Sequence, residues 1–171
     1  MTKNDIQEIF LEEVDKAINA GLPIPTNLDT HIQFNKRKTA LGVCTKNRRS
    51  SLCKIALSIY MLDMPERMIR ETIAHELCHT CSNDSHGKQW KFYANILNNK
   101  YGYHISRLAN REDTKKFNEI SGYKRNKDKY AIECPNCNRR WYYARMCWTI
   151  KCTEDGECKC PYCKVAVKRI K

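Results

Sequence analysis

The sequence predicts an α+β fold in which one medium-sized domain precedes a small β-rich module. Its 171 residues are enough for one such domain and a short appendage. Three observations support the prediction: helical apolar periodicity at the N-terminus, short alternating segments between residues 30 and 60, and two cysteine pairs near the C-terminus. We expect the domain to span residues 1–110 and the module residues 130–171, with a polar, charged connector at 111–129.

The first element is an amphipathic helix near the N-terminus. Apolar residues recur at Ile6, Ile9, Phe10, Val14 and Ile18, and acidic residues lie between them. This pattern differs from a signal peptide, and no apolar run approaches the ~20 residues that a membrane span requires. We therefore expect a cytoplasmic or nuclear protein that is not secreted, has no membrane partner, and keeps its thiols reduced or metal-bound.

Short strands are the next predicted elements. Residues 31–34 and 53–57 alternate between apolar and polar types, and the polar run 47–51 reads as the turn between them. We expect these strands to be antiparallel and to lie between the first helix and a second one.

The second helix carries its start signal at residues 63–66. Asp63 is placed to be the N-cap, Glu66 to complete a capping box, and Pro65 to occupy an early position. An apolar stripe follows at helical spacing, formed by Met68, Ile69, Ile73 and Leu77. The histidines of the same segment therefore face away from the buried side.

Two of these histidines form an H-E-x-x-H pattern, His75-Glu76-Leu77-Cys78-His79. Residues four apart on a helix share a face, so both imidazoles can direct a ring nitrogen at one zinc ion. Glu76 lies one position round, where a carboxylate can accept a proton from the attacking water and pass it to a leaving amine. The pattern is typical of a zinc hydrolase, and it implies peptide-bond hydrolysis.

A catalytic zinc keeps three protein ligands and one open position, so a third ligand is needed. His86 is the leading candidate, because the polar run 82–85 ends the helix and lets the chain double back. Gly87 and a new amphipathic stretch through residue 99 follow it. Other candidates in this segment are Asp84, Cys81, and Cys78 with Cys81 as a pair of thiolate ligands.

The C-terminal module, residues 130–171, is predicted to be a four-cysteine zinc ribbon and is called the ribbon below. It contains two C-P-x-C pairs, Cys134 with Cys137 and Cys160 with Cys163, separated by 22 residues. Four thiolates can close a tetrahedral zinc site, which is structural because no position stays open. Its binding energy would hold together a segment too small to build a core. Cys158 could replace one ligand. We therefore expect two Zn²⁺, one catalytic and one structural.

Charge points to a polyanionic partner. The net charge is +12 and the pI about 9.2. The first thirty residues hold six acids and two bases, so the rest of the chain carries about +16. Such a field favours nucleic acid through counterion release. Ordinary surface charge that maintains solubility is the alternative explanation.

Aromatic residues beside arginines in the module favour nucleic acid over the alternative. Aromatic faces stack on unpaired bases while arginines hold phosphates. Strand alternation also predicts that at least one of Trp141 and Tyr143 is buried in the module. The candidate nucleic-acid-binding residues are Lys124, Arg125, Arg139, Arg140, Trp141 and Tyr143.

Several of these segments together resemble the SprT-like family, which includes the Spartan proteases. The resemblance covers about residues 30–165. It implies a zincin-like catalytic domain with strands ahead of the zinc helix, three histidine ligands, Glu76 as the catalytic residue, and an appended zinc module. The segments that carry it are 34–37, 41–44, 54–58, 75–79 and 86–90.

Two functions follow as expectations. The first is a monomeric zinc endopeptidase that associates with DNA, preferentially single-stranded, and degrades DNA-bound or DNA-crosslinked proteins, as the resemblance implies. The second is a nucleic-acid-binding zinc protein with little or no proteolytic activity. The presence of Glu76 favours the enzyme, since a retired site has no chemical need for it. A zinc hydrolase acting on a small molecule or free peptide also fits the pattern.

Overall fold

The computed structural model describes residues 1–47, 52–124 and 129–171, and it forms two compact units, Met1–Tyr123 and Lys124–Lys171. Its mixture of helices and small sheets confirms the predicted α+β class. Within the described ranges, no helix combines the length and apolar character needed to cross a bilayer. The first unit contains α1 (Lys3–Asn19), β1 (Gln33–Asn35), β2 (Gly42–Lys46), β3 (Cys53–Ser58), a 3₁₀ helix (Ile59–Asp63), α2 (Glu66–Cys81), α3 (Lys88–Tyr101) and α4 (Arg111–Ser121).

The three strands of the first unit form a sheet in the order β1-β3-β2. The segments predicted as antiparallel strands, 31–34 and 53–57, correspond to β1 and β3, and the predicted direction is wrong because β1 runs parallel to β3. Strand β2 lies between them in the sequence and runs antiparallel to β3. The parallel pair arises because the chain reverses direction twice between β1 and β3. The central strand buries Cys53, Ile55 and Leu57 at every second position. Strand β2 is left at the edge of the sheet.

The polar run 47–51, predicted as the turn between segments 31–34 and 53–57, follows directly after β2 and is only partly described. The Asn47 amide donates to the Leu52 carbonyl at 3.0 Å, which closes the end of the antiparallel pair. Residues 48–51, including Arg48 and Arg49, lie outside the described residues.

Helix α1 begins with a capping box and buries the predicted apolar face. The Thr2 hydroxyl accepts the Asp5 amide, and the Asp5 carboxylate accepts the Thr2 amide at 2.8 Å. Ile6, Ile9 and Phe10 then pack into the core that α1 shares with α2 and α3.

The capping box predicted at the start of α2 is wrong. Residues Ile59–Asp63 form a 3₁₀ helix instead, and Pro65 occupies the N-cap position without a side-chain hydrogen bond. The Pro65 carbonyl accepts the Met68 amide at 2.9 Å. Proline starts the helix because its fixed φ suits this position and it has no amide hydrogen to leave unpaired.

The first unit extends beyond the predicted boundary at residue 110. Helix α4 lies within the stretch predicted as a connector and belongs to this unit. Phe117 on α4 is buried and meets the Tyr60 ring edge-on, with ring centroids 6.3 Å apart. Arg67 of α2 also forms an ion pair with Asp113 at 3.0 Å. The sequence did not predict these contacts, because most residues of α4 are exposed and polar or charged, as in a connector.

The second unit is a small β-rich module, as predicted. It contains β4 (Tyr130–Glu133), β5 (Arg140–Tyr143), α5 (Trp148–Lys151) and β6 (Lys168–Arg169), and its antiparallel sheet has the order β5-β4-β6. Among the described residues, its core cluster buries Ile132 and Val167 with Cys134 and Cys160, and the unit's other buried apolar residues are Ala131, Ile150 and Cys152. So little apolar burial is typical of a domain held by metal.

Candidate metal centres

The structure brings the three predicted histidines to one point. His75 and His79 project from the same face of α2, and the turn before α3 returns His86 to them. The Nε2 atoms lie 3.3 Å apart for His75 and His79, 3.2 Å for His79 and His86, and 3.2 Å for His75 and His86. These three residues form a group that could hold a metal ion.

The triangle of nitrogens fits a tetrahedral zinc ion. Ligands about 2.0–2.1 Å from one ion, at tetrahedral corners, are about 3.3–3.4 Å apart. Hydrogen bonding among the rings is a poorer explanation of the same distances. The Nε2 atom of a neutral imidazole is either a donor or an acceptor, so at least two of the three atoms have the same role. Two atoms with the same role cannot form a hydrogen bond with each other. At least one of the three Nε2–Nε2 contacts is therefore left without a hydrogen bond.

The orientation of His75 is set by its other ring nitrogen. Its Nδ1 lies 3.1 Å from the Ser106 carbonyl oxygen, which can only accept a hydrogen bond. The proton of the neutral ring therefore resides on Nδ1, and Nε2 keeps a lone pair directed into the group. A backbone carbonyl on the second nitrogen is the usual support of a metal-binding histidine.

Burial and mutual repulsion keep the imidazoles neutral. Burial, with smaller contributions from His79 and His86, lowers the pKa of His75 to about 4. Burial, followed by His86 and Lys46, lowers the pKa of His79 to about 4 as well. Burial and the charge of Arg107 lower the pKa of His86. All three rings thus offer free lone pairs at neutral pH, which is what a metal ligand needs.

Trp90 forms the common support under the histidine rings, a role that the sequence analysis missed. Its side chain is almost fully buried, and its ring centroid lies 4.7 Å from those of His75 and His86 and 5.6 Å from that of His79. Its indole Nε1 lies 3.4 Å from the His75 carbonyl oxygen. The spacing of Trp90 from His86 was visible in the sequence, but the contact with α2 is tertiary.

Asp84 fixes the start of α3 and hence the position of His86. Its carboxylate accepts the Gln89 amide at 2.9 Å and the Trp90 amide at 3.1 Å. These are two of the first amides of α3, which have no partner within the helix. A side chain at Gly87 would overlap the Asp84 carboxylate. The glycine of the His86-Gly87 pair therefore makes room for the cap.

The alternative third ligands are not brought to the histidine group. Asp84 already accepts two helix amides, and neither Cys78 nor Cys81 belongs to a group of donor atoms close enough to share an ion among the described residues. Burial raises the pKa of Cys78 and Cys81, which disfavours the thiolate form that binds metal.

Glu76 lies beside the histidines with only 7% of its surface exposed. Burial raises the pKa of its carboxyl group to about 7, and a backbone hydrogen bond from the Cys44 amide opposes this shift. Its acid–base equilibrium is therefore centred near neutral pH, which suits a group that must both accept and return a proton.

Glu76 and the histidines share an open cleft of about 570 Å³. Strand β2 forms one side of it through Gly42, Val43 and Cys44. Lys46 and Arg107 also line the cleft, and the Lys46 ammonium donates to the Ser82 carbonyl at the end of α2, at 2.7 Å.

The four predicted ribbon cysteines also come together. Cys134, Cys137, Cys160 and Cys163 form a group that could hold a metal ion, and Cys158 is not a member of it. The Cys137 and Cys160 sulfurs are 3.7 Å apart, close to the roughly 3.8 Å between two thiolates on one tetrahedral zinc. Although burial opposes it, hydrogen bonds from the Cys163 and Tyr162 amides lower the pKa of Cys160 to about 7.

Both cysteine pairs sit on turns of the same geometry. The residue after each pair, Asn138 or Lys164, has a positive φ of 55° or 60°. Its amide donates to the carbonyl of the first cysteine, Cys134 or Cys160, at 2.9 Å in each case. The matched turns present two sulfurs each toward a shared point, as a closed structural site requires.

The candidate nucleic-acid residues of the ribbon occupy two different faces of β5. Trp141 and Tyr143 are half-buried against the small core, as alternation predicted. Arg140 points outward but forms an ion pair with Glu133. Arg139 is exposed, and Lys124 is exposed as well, whereas Arg125 lies outside the described residues.

The rings that are free to stack are different ones. Tyr142, Tyr162 and Trp148 expose 54%, 66% and 72% of their surfaces. The Arg139 guanidinium lies 3.8 Å from the centroid of the Tyr162 ring. The position of Tyr142 follows from strand alternation about Trp141. Trp148 begins α5 and Tyr162 lies on a turn, and the sequence did not reveal the exposure of either ring.

Comparison with known proteins agrees with the geometry of the histidine site. The SprT-like family model matches residues 7–111. The human germ cell nuclear acidic protein is 34% identical over 107 residues, which cover 54% of this chain and 14% of that protein. No solved structure matches the chain. The family match spans more than half of the sequence and contains α2 and the three histidines, so the chain belongs to the SprT-like family, a metalloprotease-like family.

Proposed function

We propose that the chain is a zinc-dependent endopeptidase. The observation that carries this proposal is the triangle of three Nε2 atoms, 3.2–3.3 Å apart, with the buried Glu76 carboxylate in the same open cleft. His75, His79 and His86 would hold the zinc ion, and three protein ligands would leave one coordination position for chemistry.

The residues of the cleft supply acid–base catalysis and positioning. When bound, zinc would polarise the scissile carbonyl and lower the pKa of water to about 7. Glu76 takes a proton from the attacking water and delivers it to the leaving amine. The Cys44 amide lowers the pKa of the Glu76 carboxyl group and so favours its proton-accepting form. The Ser106 carbonyl keeps the His75 ring in its binding orientation.

The test compares the wild type with Glu76→Gln and His86→Ala, using metal analysis and cleavage of an unfolded protein substrate. Glu76→Gln keeps the size and polarity of the side chain but cannot accept the proton, so we expect normal metal content and a rate reduced by at least 10²–10⁴-fold. His86→Ala should lose both metal and activity. Cleavage by Glu76→Gln at the wild-type rate would refute the proposal.

We further propose that the enzyme associates with DNA and acts on DNA-bound or DNA-crosslinked proteins. Support comes from the charge of about +16 outside the first thirty residues, from the exposed ribbon rings of Tyr142, Trp148 and Tyr162, and from the position of Arg139 beside Tyr162. Single-stranded DNA suits exposed rings best, because its bases are free to stack. The name of the human relative refers to the nucleus, which supports a nuclear location for this chain.

Replacing the exposed rings tests this part. Stacking is worth about 1–3 kcal/mol per base, so Tyr142→Ala and Trp148→Ala should each weaken binding to single-stranded DNA by roughly 5- to 150-fold. Phe92→Ala, at an equally exposed ring of the first unit, is the matched control and should change nothing. Unchanged affinity in both ribbon variants would reject the ribbon as the DNA platform.

The same measurements distinguish the alternative function. A nucleic-acid-binding zinc protein would bind DNA with wild-type affinity in Glu76→Gln, and the wild type would cleave no protein with or without DNA. Affinities for single-stranded DNA, duplex DNA and RNA, measured at several salt concentrations, identify the preferred nucleic acid.

A further inference from the structure

Gly42 lies directly against the turn of α2 that carries Glu76. A β-carbon built at Gly42 would lie 2.9 Å from Glu76 Cγ, 3.0 Å from Glu76 Oε1 and 3.1 Å from Thr72 Cγ2. Real β-carbons essentially never approach other atoms below 3.0 Å. Gly42 is not among the glycines with positive φ. A β-carbon at this position therefore fits only if the Glu76 side chain shifts, and the constraint concerns space and not backbone conformation.

A backbone amide of the same strand also acts on the Glu76 carboxylate. The Leu41 carbonyl accepts the Ser58 amide, and the Asn47 amide donates to Leu52, so the odd-numbered residues of this region direct their backbone groups toward β3. The even-numbered residues direct theirs to the free edge. The Cys44 amide is one of these, and it lowers the pKa of the Glu76 carboxyl group against the larger effect of burial.

From this geometry we propose that Gly42 is a positioning residue for Glu76. The missing side chain lets β2 approach α2 closely enough for the Cys44 amide to fix the carboxylate in the cleft. A methyl group at position 42 displaces the carboxylate from that amide, because the side chain of Glu76 yields more easily than the two backbones. The inference rests on the proposed role of Glu76 as the proton acceptor.

The first measurement is the steady-state kinetics of Gly42→Ala in the full chain with its metal. A misplaced base slows the chemical step, so kcat should fall by roughly 10- to 100-fold while KM and metal content stay at wild-type values. Thr45→Ala is the matched control, since it places alanine on the exposed end of the same strand and should leave kcat unchanged.

The second measurement is hydrogen exchange of the Cys44 amide by NMR, which does not depend on activity. In Gly42→Ala this amide should exchange faster, and Glu76→Gln should perturb its resonance at the same position. The Val43 and Ala56 amides, which belong to a directly paired set in the β2–β3 ladder, are the internal controls. Wild-type kcat and unchanged Cys44 exchange in Gly42→Ala would overturn the inference.

A third variant separates the displacement of Glu76 from a displacement of the whole helix. Thr72→Ser removes the methyl group that a β-carbon at 42 would meet, and leaves the contact with Glu76. Combined with Gly42→Ala, it should ease folding without restoring kcat. Restored kcat would show that helix spacing was responsible and would reject the positioning role. Failure of the proposed function itself is recognised separately, by a Glu76→Gln variant as active as the wild type.

Discussion

A buried carboxylate joins α1 to α2, and its removal should destabilise the first unit strongly. The Glu13 side chain is completely buried on α1. Its Oε1 lies 2.9 Å from Arg70 Nη1 on α2 and 2.7 Å from Lys16 Nζ. The Tyr103 hydroxyl donates to the same carboxylate at 2.7 Å. Glu13→Ala removes the shared acceptor of all three donors.

The expected loss of folding stability depends on which interaction partners each donor keeps after Glu13 is replaced. Arg70 keeps ion pairs with Glu12 and Glu66 at 2.7 Å each, and Lys16 is partly exposed and can be rehydrated. Hydrogen bonds to charged groups contribute about 1.5–3 kcal/mol each, so losing those from Arg70 and Tyr103 should cost about 3–5 kcal/mol. That is a large share of the 5–15 kcal/mol by which a typical domain is stable.

Urea unfolding followed by circular dichroism at 222 nm measures this cost, because α1 to α4 all belong to the first unit. Glu12→Ala is the matched control: Glu12 pairs with the same arginine, but its side chain is 56% exposed. An exposed pair contributes about 0.2–1 kcal/mol. If the two variants differ by less than 1 kcal/mol, the buried cluster does not stabilise the α1–α2 interface as argued.

Three further changes have definite expected outcomes. Asp84→Ala should weaken zinc binding at the histidine site by roughly 10- to 100-fold in a chelator competition, since His86 loses its support, while the cysteine site keeps its affinity. Cys137→Ser should release the ribbon metal and unfold residues 129–171 by NMR, with the circular dichroism of the first unit unchanged. Phe117→Ala should destabilise the first unit by about 3–5 kcal/mol in the urea assay, against less than 0.5 kcal/mol for exposed Glu119→Ala.

The local part of the histidine site was predictable because helix geometry alone fixes it. A spacing of four residues places His75 and His79 on one face of the helix. Glu76, which can act as the base, directly follows His75. The third histidine required a chain reversal, and the polar run before Gly87 provided that signal. The structure brings these residues together at the distances that zinc requires.

The supporting residues were not predictable, because their roles depend on contacts between distant segments. Nothing near Gly42 in the sequence indicates that it faces Glu76, and Ser106 reaches His75 from 31 residues away. Asp84 was considered only as a ligand, since its two hydrogen bonds to α3 amides depend on the exact path of the turn. Sequence spacing therefore identified the candidate metal ligands but not the residues that position these ligands.

The two candidate metal sites differ in how far the fold of the surrounding unit depends on a bound metal ion. The histidine site lies on a helix whose buried side packs into an extensive apolar core, so that unit has a source of stability independent of any ion. In the ribbon, two of the four ligands, Cys134 and Cys160, are themselves core residues beside Ile132 and Val167. A metal there replaces the missing core, whereas an ion at the histidines is free to serve chemistry. This division explains why one group opens into a cleft beside a carboxylate and the other consists of four thiolates at matched turns.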